Sequence, residues 1–236
     1  MREKCKFLFL VWTVGLVGGL LFTILRITGR VEISGYEKRK LRPGGEGVVL
    51  ISNHPSLWDP ALLPFLPFPW YLFNLKYVFF SVADKENYYD KWWFFPFREF
   101  CLPIARGNPR EELRALEKMR DNSARGINQI LFAESGRTFR GEDFKFSPSG
   151  RKIRRFKKGF RRLFLDGILI LPVWTEGGEE VLPNKLAFPR FPHFSFPRLW
   201  KKTIIKIGEP ISLAGIPKDK IVEAIEDIIL QLGDGS

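Results

Sequence analysis

Cysteine is nearly absent: Cys5 and Cys101 are the only two in 236 residues, far apart and in unrelated contexts. That excludes a disulfide framework or a thiolate metal cluster and fits a reducing, cytoplasmic setting. Histidine is as scarce. Of His54 and His193, the second lies in Phe191-Pro192-His193-Phe194 with no acid at a useful spacing, so it reads as structural, and no metal site is expected. The chain has no internal repeat and no low-complexity segment. Acids are outnumbered, 26 against 38 Lys and Arg, for a formal charge of +12. This balance points to an anionic partner: nucleic acid, a membrane surface or a phosphorylated substrate. No nucleic-acid-binding module is recognisable, so nucleic acid is not the expected partner. What the chain has in abundance is aromatic surface, 15% of residues with 23 Phe among them, more than a basic soluble domain usually needs for its core. That leans toward lipid.

From Phe7 to Leu25 there are nineteen residues without a charge, bracketed by Arg2, Lys4 and Lys6 before and Arg26 and Arg30 after. As a helix, at about 1.5 Å per residue, this comes close to the roughly 30 Å hydrocarbon core of a bilayer. The segment is expected to cross the membrane, or to dip in and return, with Gly15, Gly18 and Gly19 allowing close packing on a second element. No small-x-small cleavage site follows it, which argues against a signal peptide. The basic residues after Arg26 favour placing the rest of the chain on the cytoplasmic side. The expected division is an anchor over 1–28 and one domain over 29–236, a size that suits a single core.

Beyond the anchor, Arg30 to Ser34 alternates like a strand, and Gly47 to Ser52 reads as a buried strand running into Asn53-His54-Pro55. Pro55 suits the first turn of a helix, with Asn53 or His54 as its cap. The stretch from Pro64 to Phe100 is aromatic and proline-rich with little periodicity. Pro109 opens a helix ending before Gly126, and Ile127 to Phe132 reads as a strand. Arg151 to Asp166 has apolar residues at 153, 156, 160, 163 and 164, close to helical spacing, with eight Lys or Arg between 151 and 162. Strands over Leu169 to Trp174 and Thr203 to Ile207 and a helix over Pro217 to Leu232 close the chain. Alternating strands and helices predict an α/β class: a mixed, largely parallel sheet covered by helices on both faces, plus the N-terminal membrane helix.

His54 and Asp59 are five residues apart across a turn that begins a helix. A neutral imidazole takes a hydroxyl proton near pH 7, and a carboxylate on its other nitrogen fixes the tautomer and stabilises the imidazolium. Taken alone, the pair is equally compatible with a capping histidine and a surface acid.

Three further segments follow in order: Cys101-Leu102-Pro103-Ile104-Ala105-Arg106-Gly107, Phe132-Ala133-Glu134-Ser135-Gly136-Arg137-Thr138, and the strand Leu169 to Val173. With Asn53 to Asp59, they resemble the sequence blocks of the glycerolipid acyltransferase family, best known from its 1-acylglycerol-3-phosphate acyltransferases. The resemblance runs from about Gly29 to Gly208. It implies that His54 and Asp59 are the catalytic pair and that the acceptor hydroxyl attacks a thioester directly. It implies acyl-CoA or acyl carrier protein as co-substrate, no further cofactor, and a phosphorylated glycerolipid as acceptor. Arg106 matches the end of the second block. The third block usually reads Phe-Pro-Glu-Gly-Thr-Arg, and here Ala133, Ser135 and Gly136 depart from it while Glu134 and Arg137 keep their separation. Arg106 and Arg137, as planar forks, are the expected phosphate clamps. Glu134 would accept from the acceptor or hold an arginine. Backbone N–H groups near Ser135 and Gly136, or at the start of the helix after His54, are candidates for the oxyanion site. Arg154, Arg155, Lys157 and Lys158 of the basic segment are expected to meet the bilayer or the acyl carrier.

Overall fold

The computed structural model describes residues 2–39, 47–134, 136–138, 142–163, 168–183 and 196–235. The chain opens with α1 (Arg2–Leu10), a wide π-type turn over Val11–Gly15, and α2 (Leu16–Ile27), forming one continuous apolar rod. There follow β1 (Val31–Ser34), β2 (Val48–Ser52), α3 (Trp58–Leu62), α4 (Trp70–Phe73), β3 (Phe79–Asp84), β4 (Cys101–Ile104), α5 (Pro109–Ala124) and β5 (Asn128–Leu131). The second half has β6 (Phe144–Phe146), β7 (Lys152–Arg154), β8 (Leu169–Glu176), α6 (Gly178–Val181), β9 (Thr203–Ile207), β10 (Ile211–Ser212) and α7 (Ile221–Asp234).

The main sheet runs β1-β9-β8-β2-β5-β3-β4 with β10 also on β8. From β8 to β4 every pairing is parallel, whereas β9 and β10 run antiparallel to β8. Parallel strands are covered on both sides, and β2 accordingly has no exposed residue. Its Val49 and Ile51 face a core built with Leu116 and Met119 of α5 and Ile225 and Ile229 of α7. Its Val48 and Leu50 face the opposite core, with Phe22 and Leu25 of α2 and Leu62 of α3. The expected α/β sheet covered on both faces is therefore present, and the N-terminal helix is one of its covers. A helical stretch of 23 residues, Cys5–Ile27, is long and apolar enough to cross a bilayer, yet a third of its most apolar 18 residues is buried against the rest of the chain. The wide turn is held from outside, since the Tyr71 hydroxyl donates to the Gly15 carbonyl at 2.6 Å.

Two expectations need correction. The stretch after Arg151 is not an amphipathic helix. Lys152–Arg154 is a strand paired antiparallel with Phe144–Phe146, and Lys158–Arg162 is a short 3-10 helix. Ile153, Phe156, Phe160 and Leu163 are all buried. A strand residue, an extended link and a tight helical turn thus bury side chains three and four apart, which mimics helical spacing. The aromatic stretch likewise conceals β3, whose Phe79, Ser81 and Ala83 point to one side in ordinary strand alternation. Proline in β4 is tolerated because that strand is the sheet's edge.

Candidate active site

β2, aliphatic up to Ser52, is buried, and it delivers Asn53 and His54 to the carboxyl end of the parallel sheet, where open α/β folds bind ligands. Asn53 is not a helix cap. Its amide spans to β8, donating to the Thr175 carbonyl at 2.8 Å and accepting from the Thr175 N–H at 2.7 Å. Nor does His54 cap a helix: α3 begins only at Trp58, and Ser56 and Leu57 turn the chain before it. Both backbone groups of His54 are fixed, its N–H donating to Glu134 Oε1 at 2.9 Å and its carbonyl accepting from the Thr138 N–H at 2.8 Å.

Asp59 lies in the first turn of α3, fully buried, with Oδ2 3.2 Å from His54 Nδ1 and accepting the Ser56 N–H at 2.9 Å. With Nδ1–H directed to the carboxylate, Nε2 carries the lone pair. Phe132 packs against the imidazole with the rings tilted by 31° and their centres 4.4 Å apart. Gly178 presses on the other side of the dyad, where a Cβ would lie 2.7 Å from Ser56 Oγ and 3.0 Å from Asp59 Oδ1.

Glu134 is buried, and its carboxylate is engaged internally rather than with the cavity. Oε1 accepts from the His54 N–H and the Thr138 hydroxyl at 2.9 Å each, and Oε2 from the Arg154 N–H at 3.0 Å. One side chain thereby ties the His54 loop, its own loop and β7 together. Burial pushes its pKa up to about 7, against the lowering effect of those three donors.

A cavity of about 1270 Å³ opens at this dyad. Gly18, Leu21, Phe22 and Leu25 of α2, with Phe65 and Phe79, give it an apolar wall, and Arg106, Arg137, Arg154 and Lys157 also line it. Arg106 is paired with Asp84 at 3.0 Å and Lys157 with Glu112 at 3.2 Å. Arg137 is buried beside the dyad's loop. Arg155 and Lys158 are not part of the lining, and Arg155 pairs instead with Asp143 at 3.2 Å and Glu226 at 3.6 Å. Ser135 and His193 lie outside the described residues. Sequence reasoning missed Asn53, Thr138 and Gly178 as positioning residues. Adjacency to His54 or to the third block was the available signal for the first two, and none existed for Gly178.

A family model described as Acyltransferase matches residues 30–176, more than half of the chain. Among solved structures, the chain is similar to the crystal structure of the 1-acyl-sn-glycerophosphate (LPA) acyltransferase, PlsC, from Thermotoga maritima. The TM-score is 0.63 at 21% identity, covering 99% of this chain and 82% of that one. The likeness includes the N-terminal rod and the mixed sheet.

Proposed function

The chain belongs to the acyltransferase family, and on that premise we propose that it is a membrane-bound lysophosphatidate acyltransferase. It transfers a fatty acyl group from acyl-CoA or acyl carrier protein to the acceptor hydroxyl, giving phosphatidate. The observation that carries this reading is the buried His54–Asp59 pair on the wall of a cavity with an apolar side along α2 and several cations in its lining. The name of the similar Thermotoga maritima protein supports the choice of acceptor.

In this mechanism His54 Nε2 takes the proton of the acceptor hydroxyl as its oxygen attacks the thioester carbonyl. Asp59 stabilises the imidazolium that forms. The carbon–sulfur bond then breaks, and the departing thiolate takes the proton from His54, so no acyl-enzyme is needed. Arg137 and Arg106 meet the acceptor's phosphate, and the apolar wall receives an acyl chain. The exposed apolar side of the rod lies in the bilayer, with the basic residues beyond Arg26 on the cytoplasmic side.

Acyl transfer from labelled acyl-CoA and acyl carrier protein to lysophosphatidate, glycerol-3-phosphate and other lysolipids tests the reading. Lysophosphatidate should be the preferred acceptor, and His54→Ala should lose about a hundredfold or more in rate. A folded, fully active His54→Ala would overturn the mechanism, and preference for another acceptor would overturn the substrate.

A further inference from the structure

We propose that Arg154 is a phosphate-binding residue for the acceptor, seated against Gly136 and held in step with His54 by Glu134. This rests on the acyl-transfer reading above.

Arg154 lies on β7 and is half-buried in the cavity lining. Among the described residues no carboxylate pairs with its guanidinium, whereas Arg106 and Lys157 on the same lining already have Asp84 and Glu112. A guanidinium drawn out of water without a counter-charge is costly, and an arriving anion relieves that cost. Its fork matches two phosphate oxygens at once.

The seat is specific. A Cβ built on Gly136 would lie 2.9 Å from Arg154 Nη1, so the guanidinium sits against the bare backbone of that residue. The acyltransferases that the sequence resembles usually have threonine at this place in the third block. A side chain there would push Arg154 away.

The third element is Glu134. Its two oxygens take the backbone N–H groups of His54 and Arg154, so the two backbone positions from which the base and the cation project are tied to one carboxylate group. An acceptor whose hydroxyl is on the carbon next to a phosphate-bearing one has those two groups a few bonds apart. A base and a phosphate ligand on one strut suit that substrate.

The donor also carries phosphate, so the test separates the two sources. Full-length protein in phospholipid vesicles is assayed with lysophosphatidate varied at saturating acyl-CoA, and then the reverse. Arg154→Ala should raise KM for lysophosphatidate by about ten- to a hundredfold, with kcat and the KM for acyl-CoA little changed. Arg154→Lys should recover part of the loss, and Gly136→Thr should reproduce it. Calorimetric titration with inorganic phosphate should show binding to the wild type that is weakened in Arg154→Ala. An unchanged acceptor KM with unchanged phosphate binding overturns the proposal, as does a rise confined to acyl-CoA or an equal loss in kcat for both substrates. A wild type inactive on lysophosphatidate would count against the proposed function, while the phosphate titration would still report on Arg154.

Discussion

The two faces of the sheet are covered by helices of similar length and opposite character. α7 buries Ile221, Ile225, Ile229 and Leu230 and exposes Glu223 and Gln231, as a helix between a core and water should. α2 buries Phe22 and Leu25 and exposes Val17, Leu20, Leu21, Ile24 and Ile27. Each helix seats one or more glycines under an aromatic ring: a Cβ on Gly233 would meet the Trp174 indole at 2.9 Å, and one on Gly19 the Phe68 ring at 2.0 Å. Packing toward the sheet is therefore alike, and only the outward side differs. A large exposed apolar face on one side of an otherwise charged protein marks an interaction surface, and its continuation through exposed Trp70, Phe73, Trp92 and Phe95 fits a bilayer.

The largest effect should come from charging that face. Leu20→Asp with Ile24→Asp should reduce co-sedimentation with anionic phospholipid vesicles by on the order of a hundredfold or more, while Glu223→Asp with Gln231→Asp on α7 changes nothing. Equal behaviour of the two pairs would dissolve the comparison. On the α7 side, stability depends on charge instead. Glu226 is buried, accepts the Phe156 N–H at 2.7 Å and faces Lys145 and Arg155 at 3.6 Å each. Glu226→Ala leaves the Phe156 N–H without its acceptor and should cost about 1–3 kcal/mol in denaturant unfolding and loosen the β6–β7 hairpin that carries Arg154.

Glu134 is where that hairpin meets the His54 loop. Its pKa, raised by burial to about 7 from an ordinary value near 4.5, means the folded protein retains a proton that the unfolded chain releases between those values. Stability should therefore fall as pH rises through that window, by up to about 3 kcal/mol, and level off above it. Chemical denaturation at pH 5 and pH 8 would measure the slope, and Glu134→Gln should abolish it. A smaller cost, about 1–3 kcal/mol by thermal unfolding, is expected for Gly19→Leu, which must displace Phe68 from under α2.

The contact between His54 and Asp59 was legible in the sequence because both members come from one short segment, where spacing limits what can touch. The parallel sheet was legible from its aliphatic runs, Val48 to Ser52 and Leu169 to Val173. Arg154 was visible as a basic residue, but its place was not. Its backbone meets Glu134 twenty residues away through a hairpin whose burial spacing resembles a helix. β3 was hidden for another reason: its buried side carries Ser81 and its other side carries Phe80 and Val82, so alternation leaves no polarity contrast to read.

The wide turn and α2 form a wall of the cavity beside His54, because Gly18, Leu21, Phe22 and Leu25 line it, and Tyr71 pins the wide turn at Gly15. Under the proposed function, a one-chained acceptor entering along such a wall would keep its tail in hydrocarbon throughout. Turnover then follows the lateral density of the lipid in its leaflet, not its concentration in water, and dilution of the membrane with inert lipid should slow the reaction where dilution of the suspension does not.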